Sequence, residues 1–420
     1  MKVYRLAAAA GLVLATAAAC GSPDPPTLSA AGVSRRQPAA GAPVDAVARG
    51  ITALGYQLAT SALPAGKNSV TSPLSIAYAF AMARAGAGGA TARQIDQFFG
   101  FPPSGLHDAF NALTRQVVTA DAPPAKARAT TRPAGPPQPP VVCVGNALFP
   151  QQGYPIGQQF LHTLAAQYGT GVHPVDFGSG KALGIIDDWA RQQTAGRIKK
   201  VFDQLSRDTR LVLANTIYLR ADWAHPFEEG TAPQPFTRAD HSTVQVPTMR
   251  GQARLRYAAG SGWQAVELPY AGGQLAMRVL LPPAGQAPGR LLAPASMAAV
   301  AAALQPADVG VALPKWDFAS NLDLKQALTS LGLTEPFDLN ADFSGINPEL
   351  HIAQAVHRAN ITVDEWGTEA AAVTGLSFDL ALPAPPKIQM TVDRPFAFAI
   401  VHAATGIPLF MGQVADPTAK

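Results

Sequence analysis

The stretch Val363-Asp364-Glu365-Trp366-Gly367-Thr368-Glu369-Ala370-Ala371-Ala372-Val373-Thr374 carries nothing bulky after Trp366. Small side chains can sit in an exposed loop without forming a sticky patch, and Ala, Val and Thr can also be buried in a sheet. At a period of two, Thr368, Ala370, Ala372 and Thr374 share one face of a strand, and Glu369, Ala371 and Val373 share the other. The first set is small enough to slide beneath a packed layer. Such a composition suits a segment that holds two conformations. Taken alone the run also reads as an ordinary Ala-rich helix, and its surroundings must separate the two.

Those surroundings begin with Asn68-Ser69-Val70-Thr71-Ser72-Pro73-Leu74-Ser75-Ile76, leading into Ala83-Arg84-Ala85-Gly86-Ala87-Gly88-Gly89-Ala90-Thr91. Leu213-Ala214-Asn215-Thr216-Ile217-Tyr218-Leu219-Arg220-Ala221-Asp222-Trp223 follows mid-chain, with Pro226-Phe227 close behind. Then come Leu313-Pro314-Lys315-Trp316, Leu331-Gly332-Leu333, Ala341-Asp342-Phe343-Ser344-Gly345-Ile346, Arg394-Pro395-Phe396 and Pro408-Leu409-Phe410-Met411-Gly412. In this order and spacing the set resembles the serpins, the serine protease inhibitor family, from about Ala46 to Pro417. The small-residue run then corresponds to the serpin hinge, and the helix reading falls away.

The N-terminal end reads as a targeting segment. Lys2 and Arg5 precede an uncharged apolar run, Leu6 to Ala19. Ala17-Ala18-Ala19-Cys20 resembles a bacterial lipobox, in which Cys20 is acylated and anchors the protein to a membrane; Ala17 replaces the usual Leu. The same residues satisfy an ordinary small-x-small secretion site, and either route exports the chain. Residues 1–20 are thus the signal peptide. The proline-rich, aromatic-free stretch 21–43 is expected to be a disordered linker, and 44–420 the serpin domain. The Arg-, Ala-, Gly- and Pro-rich composition matches a high-GC bacterial source. Cys143 lies in Val141-Val142-Cys143-Val144 and reads as a buried, unpaired thiol.

Composition alone would favour two domains at this length, but the resemblance spans the chain as one. From Ala46, Val47, Ile51, Leu54 and Leu58 step like an amphipathic helix. Ser72-Pro73 opens a second helix, serine as cap and proline at its first position, apolar on nearly every face to Ala83. Proline-rich 119–140 reads as a surface loop. Val141–Phe149 and Leu211–Leu219 read as strands, Ile185–Lys199 as a helix anchored by Trp189 and Ile198. Further strands are expected at Ala265–Leu268, Met277–Leu281, Val309–Leu313, Lys387–Val392, Ala397–Val401 and Leu409–Val414. Helices early and strands mostly later make the class α+β. The resemblance implies a single domain with a large main sheet, two smaller sheets, about nine helices and an exposed reactive loop within 365–386.

Enzymatic chemistry fails on its signatures. Gly178-Ser179-Gly180-Lys181 lacks the first glycine and the final Ser/Thr of a phosphate loop, and no nucleophile elbow, His-Glu-x-x-His or Cys-x-x-Cys occurs. No cofactor or metal is expected. The net charge of +4 is thinly spread, which argues against nucleic acid. Leu106–Val118 holds only Arg115 as a fixed cation, so no basic face for heparin is visible. The polar amide of Asn215 in an apolar strand requires hydrogen-bond partners.

For those partners the resemblance implies a cluster of Ser72, Ser75, Asn215 and His357 beneath the main sheet, the shutter, with Trp223 at the top where the loop first enters. It further implies a hinge at Glu365, Gly367, Thr368, Glu369, Ala370, Ala371 and Ala372. A serine protease would attack the loop and form an acyl-enzyme, and the freed hinge would thread into the sheet. About 14 residues at about 3.3 Å each would carry the protease about 45 Å. Counting from Glu365 puts the scissile bond after Ala381, flanked by Leu380 and Leu382, while counting back from Arg394 points nearer Ala384. Trp366 is bulkier than the family usually carries there, and the loop beyond Gly375 is longer than in many relatives. A non-inhibitory member, a ligand carrier or cell-surface interaction protein, is the alternative. The protein is expected to be monomeric, at the outer face of the cell membrane or free outside the cell.

Overall fold

Ser72 and Pro73 start a helix in the way their chemistry demands: the Ser72 side chain caps the Ser75 amide, and proline fills the first position, where no amide is needed. The computed structural model describes residues 27–62, 66–124, 126, 135–227, 230–368 and 386–419. Its α-helices are α1 (Val44–Gln57), α2 (Pro73–Arg84), α3 (Gly89–Phe99), α4 (Leu106–Val117), α5 (Gln158–Thr163), α6 (Ala182–Gln193), α7 (Pro294–Ala303) and α8 (Leu324–Ser330). Helix α1 buries Val47, Ile51 and Leu54 on one stripe, whereas α2 is buried from Pro73 to Ala83, as an all-round apolar helix must be.

The strands are β1 (Ser69–Thr71), β2 (Val141–Pro150), β3 (Leu211–Asp222), β4 (Thr231–Thr237), β5 (Thr243–Gly260), β6 (Trp263–Pro269) and β7 (Leu275–Leu281). They continue with β8 (Gln305–Pro314), β9 (Trp316–Asp323), β10 (Gln354–Asp364), β11 (Gly367–Thr368), β12 (Ile388–Thr391), β13 (Phe396–His402) and β14 (Pro408–Val414). The main sheet runs β2-β3-β11-β10-β9. Its edge β9 alternates strictly, with Trp316, Phe318, Ser320 and Leu322 inward and the residues between them outward. The strand β3 is apolar on both faces because both are covered. Leu211, Leu213, Ile217 and Leu219 join the core that contains α2, and Val212 and Ala214 join the cluster around Trp189 of α6.

Several expectations need correction. The two smaller sheets are one nine-stranded sheet, because the 18-residue β5 pairs with β4 and β8 along one part and with β6 at its end. Eight α-helices occur among the described residues, in line with the about nine expected. The helix expected over Ile185–Lys199 stops at Gln193, where Ala195 (φ 51°) and Gly196 (φ 82°) turn left-handed. Ile198 is nonetheless buried beside Trp189. The expected linker 21–43 is bound to the body over its described part. Leu28 exchanges backbone hydrogen bonds with Val172 (2.8 and 2.9 Å), the Arg36 amide reaches Ala166 O (2.7 Å), and Arg35 Nε donates to Asn111 Oδ1 (3.0 Å). Such contacts outweigh the entropy of a proline-rich stretch. The described ends of the 119–140 loop are pinned likewise, the Gln138 amide donating to Asp222 Oδ2 at 2.9 Å. Cys143 is free and buried, and burial pushes its thiol up to about 11.

Candidate functional site

In the main sheet, β3 and β10 lie side by side and parallel only over Val212–Thr216 and Gln354–Arg358. Higher up, β11 stands between them: Gly367 pairs with Asp222 and Thr368 with Ala221 on one side, and both pair with β10 on the other. The two strands part along their length, and the short segment that parts them lies where the expected hinge begins.

At the closed end, the side chains expected to cluster do so. The Ser72 amide donates to His357 Nε2 at 2.9 Å. That nitrogen is therefore unprotonated, so Nδ1 carries the proton and donates it to Asn215 Oδ1. Asn215 Nδ2 in turn reaches Ser75 O and Oγ, both at 2.6 Å, and Asn146 Oδ1. Ser75 Oγ donates to Thr216 O at 3.1 Å. All of these groups are buried, and burial lowers the His357 pKa to about 3, so the ring is neutral. The network ties α2 to β3, β10 and β2. Asn146 was not anticipated. Its signal was the one that marked Asn215, a polar amide inside an apolar strand.

At the open end, Trp223 is 1 % exposed and stacks on Tyr270 with ring centroids 4.5 Å apart. Its indole Nε1 donates to Asp364 O, and its amide to Trp366 O, each at 2.9 Å. The Thr368 side chain is buried and its hydroxyl lies 2.5 Å from that of Tyr270. Glu365 is clamped by Lys315 Nζ at 2.7 Å and by the Thr231 hydroxyl. Burial raises the Glu365 pKa, but those two partners outweigh it and hold the carboxyl below its ordinary value. Asp364 receives the Trp366 amide at 2.8 Å on Oδ1, while Oδ2 is buried with no hydrogen-bond partner. Burial pushes its pKa up to about 6. Tyr270 had no signal in the sequence, and Lys315 and Asp364 stood in the quoted stretches without a role, since only the fold brings the three to this corner.

Gly367 is required by close approach. A Cβ there would fall 2.1 Å from Ala221 O, inside van der Waals contact. Below β11, a narrow cavity of about 20 Å³ is lined from both strands by Ile217, Leu219, Ile361, Thr362 and Thr368. The remaining expected residues (Glu369, Ala370, Ala371 and Ala372 of the hinge, Leu380, Ala381 and Leu382 at the bond, and Cys20) lie outside the described residues. Among the described residues, no group of acidic, His or Cys side chains is arranged to hold a metal, and no helix is long and apolar enough to cross a membrane.

The fold is thus an α+β domain whose main sheet parts around Gly367 and Thr368. The comparisons agree. The family model for Serpin (serine protease inhibitor) matches residues 50–417, and the chain belongs to the serpin family. It is 33% identical over 362 residues to an uncharacterized serpin-like protein of Thermococcus kodakarensis, covering 83% of this chain and 81% of the relative. It is 31% identical over 371 residues to human neuroserpin, covering 84% and 86%. Among solved structures, the native thermophilic serpin tengpin superposes with a TM-score of 0.80 at 21% identity, over 94% of this chain and all of that one. Thyroxine-binding globulin in complex with thyroxine gives 0.76 at 26% identity, over 88% and 99%. Serpins are in general protease inhibitors and not catalysts, though the family holds non-inhibitory members.

Proposed function

We propose that this protein is a suicide-substrate inhibitor of elastase-, chymotrypsin- or subtilisin-like serine proteases. One observation carries the reading: Gly367 and Thr368 already occupy strand positions between β3 and β10, and the residues that follow are small enough to continue them. The protease serine attacks the carbonyl carbon of Leu380 or Ala381. Its proton passes through the catalytic histidine to the leaving amine of Ala381 or Leu382, the peptide bond breaks, and an ester remains. The freed segment then extends from Thr368 downward, with Glu369, Ala370, Ala371 and Ala372 next, before water reaches the ester. To pass Thr216, the new strand must replace the β3–β10 pairing and part His357 from Asn215. The native state is held by kinetics.

No Arg or Lys lies between Arg358 and Lys387, so trypsin-like enzymes find no cation for their specificity pocket. The test is a protease panel scored for a complex that survives boiling in SDS, with the released C-terminal fragment weighed by mass spectrometry. A new N-terminus at Ala381 or Leu382 supports the bond. One at Ile388 overturns it. If every protease that cuts the loop turns over freely, the inhibitory reading is lost and the alternative, a non-inhibitory carrier or surface interaction protein, takes its place. Thyroxine-binding globulin, which shares the fold, is seen in complex with thyroxine.

The protein acts outside the cell as a monomer, anchored through a lipid on Cys20 that follows a cleaved signal peptide. The chain is bound to the body from about Leu28 onward, so the described part of the expected linker does not act as a spacer. Cys20→Ser should shift the protein from the membrane fraction to the medium with inhibition intact, and equal release of the wild type would favour plain secretion.

A further inference from the structure

A cavity of about 890 Å³ opens between the end of α1, the turn after β4, the loop Pro283–Arg290 and the start of β13. It is within the size range of small-molecule sites, about 300–1,000 Å³. It shares no residue with the hinge or the shutter. Its floor is buried and largely apolar, formed by Ala59, Pro288 and Ala415, and Tyr56 forms one wall. Its rim carries the guanidinium groups of Arg238, Arg290 and Arg394.

The acids nearby are already engaged. Asp393 is held by Arg394 Nη1 at 2.9 Å, and Asp416 by Arg238 Nε at 2.6 Å. Arg394 is spent as well, since Nε and Nη2 both donate to Pro282 O. Arg238 places Nε on Asp416 and Nη1 on Ser242, with no described bond from Nη2. Arg290 is exposed and has no acidic partner among the described residues, and the short helix Pro288–Leu292 holds it at the cavity mouth. The site thus offers one unneutralised guanidinium and part of another above an apolar floor. A second groove, of about 440 Å³, continues past Gly66 and Arg238 and gives room for a longer ligand.

We infer that this cavity binds a small organic anion with a flat apolar body, its charge at Arg290 and Arg238 and its body over Tyr56, Ala59 and Pro288. Recognition combines the two features that neither water nor an inorganic ion supplies together. It is independent of whether the reactive loop traps proteases.

The probe is 1-anilinonaphthalene-8-sulfonate, titrated by fluorescence into the full chain beside its neutral analogue N-phenyl-1-naphthylamine. Saturable one-to-one binding of the sulfonate is expected, about tenfold tighter than the neutral dye. Arg290→Glu should weaken the sulfonate by about tenfold or more and leave the neutral dye unchanged. Thr60→Trp, which fills the cavity from an exposed position, should displace both. Both variants should keep the unliganded thermal midpoint and complex formation with protease. Absence of saturable binding, equal affinity for the two dyes, or sulfonate affinity unmoved by either variant would overturn the inference.

Discussion

Over Val212–Thr216 and Gln354–Arg358, β3 and β10 pair directly, and the seam is backed by a buried network of Ser72, Ser75, Asn146, Asn215 and His357. Near Ala221 and Val363 the same two strands are separated by Gly367 and Thr368. The lower end is held by directional bonds between groups with no access to water. Breaking one leaves a buried donor or acceptor unpaired, at about 1–3 kcal/mol. The upper end is held by the Trp223–Tyr270 stack, the Thr368 hydroxyl and the largely buried Glu365–Lys315 pair. The seam has a start at the top and a lock at the bottom, so the proposed strand insertion would run in one direction, with the lock as its barrier.

The largest effect should come from spoiling the start. In Thr368→Arg, a guanidinium would have to occupy a site 3 % exposed, facing Tyr270 and without an acid. A buried uncompensated charge costs about 3–5 kcal/mol. Cleavage of the loop should continue while the SDS-stable complex falls by about a hundredfold. Undiminished complex on gel densitometry would show that insertion does not pass through the docked position of Thr368.

Spoiling the lock should act on stability instead. Asn215→Ala removes the acceptor of the His357 Nδ1 proton and the donor to Ser75 and Asn146. A loss of about 2–4 kcal/mol in native-state stability is expected. It should be read as a lower thermal midpoint and faster spontaneous loss of inhibitory capacity on standing. An unchanged rate of spontaneous loss would place the barrier elsewhere on the seam.

The two ends were not equally legible in the sequence. The lock announced itself as an amide in an apolar strand, and its partners came with the family resemblance. Asn146 carries the same mark within Val141–Phe149, but no family motif accompanies it there. The start was legible as a run of small residues. Its clamps were not, since Tyr270 and Lys315 meet Thr368 and Glu365 only through long-range pairing. The strands β4 and β5 escaped for another reason. In β5 exposed and buried positions do not alternate regularly, so no period betrayed it, and the count of sheets failed with it. The stretch 27–43 shows the reverse error. Its proline content signals disorder, but Arg35 and the Leu28 backbone find tertiary partners that composition does not contain.

The two ends also respond to pH with opposite signs. His357 has a folded pKa of about 3 against an ordinary 6.5, so the unfolded chain takes up the proton first and stability falls as pH drops from about 6.5 toward 3. Asp364 has a folded pKa of about 6 against 3.8, so the native state takes up that proton first and stability rises as pH drops from about 6 toward 4. Between these limits the two contributions oppose each other at about 1.4 kcal/mol per pH unit each. Asp364→Asn removes the upper one. Denaturant unfolding across pH 6 to 4 should therefore lose stability more steeply in the variant, by up to about 1.4 kcal/mol per unit. Parallel profiles would mean that Asp364 is ordinarily ionised in the native state.

The smallest effect tests whether the ends are separable. Lys315→Met removes the cation that clamps Glu365 and keeps most of the apolar stem, leaving Glu365 with the Thr231 hydroxyl. The pair is largely buried, with side chains 15% and 9% exposed, but the Thr231 hydroxyl stays on the carboxylate, so its loss should cost about 1–2 kcal/mol at the hinge corner. Nothing in that corner touches the lock, which is built from the lower turns of β3 and β10 and the start of α2. Hydrogen exchange should then speed up several-fold at Gly367 and Thr368, while the amides of Ala214, Asn215 and Thr216 keep their protection. Equal acceleration at both places would mean that the seam opens as one cooperative unit, and the division into a start and a lock would have to be abandoned.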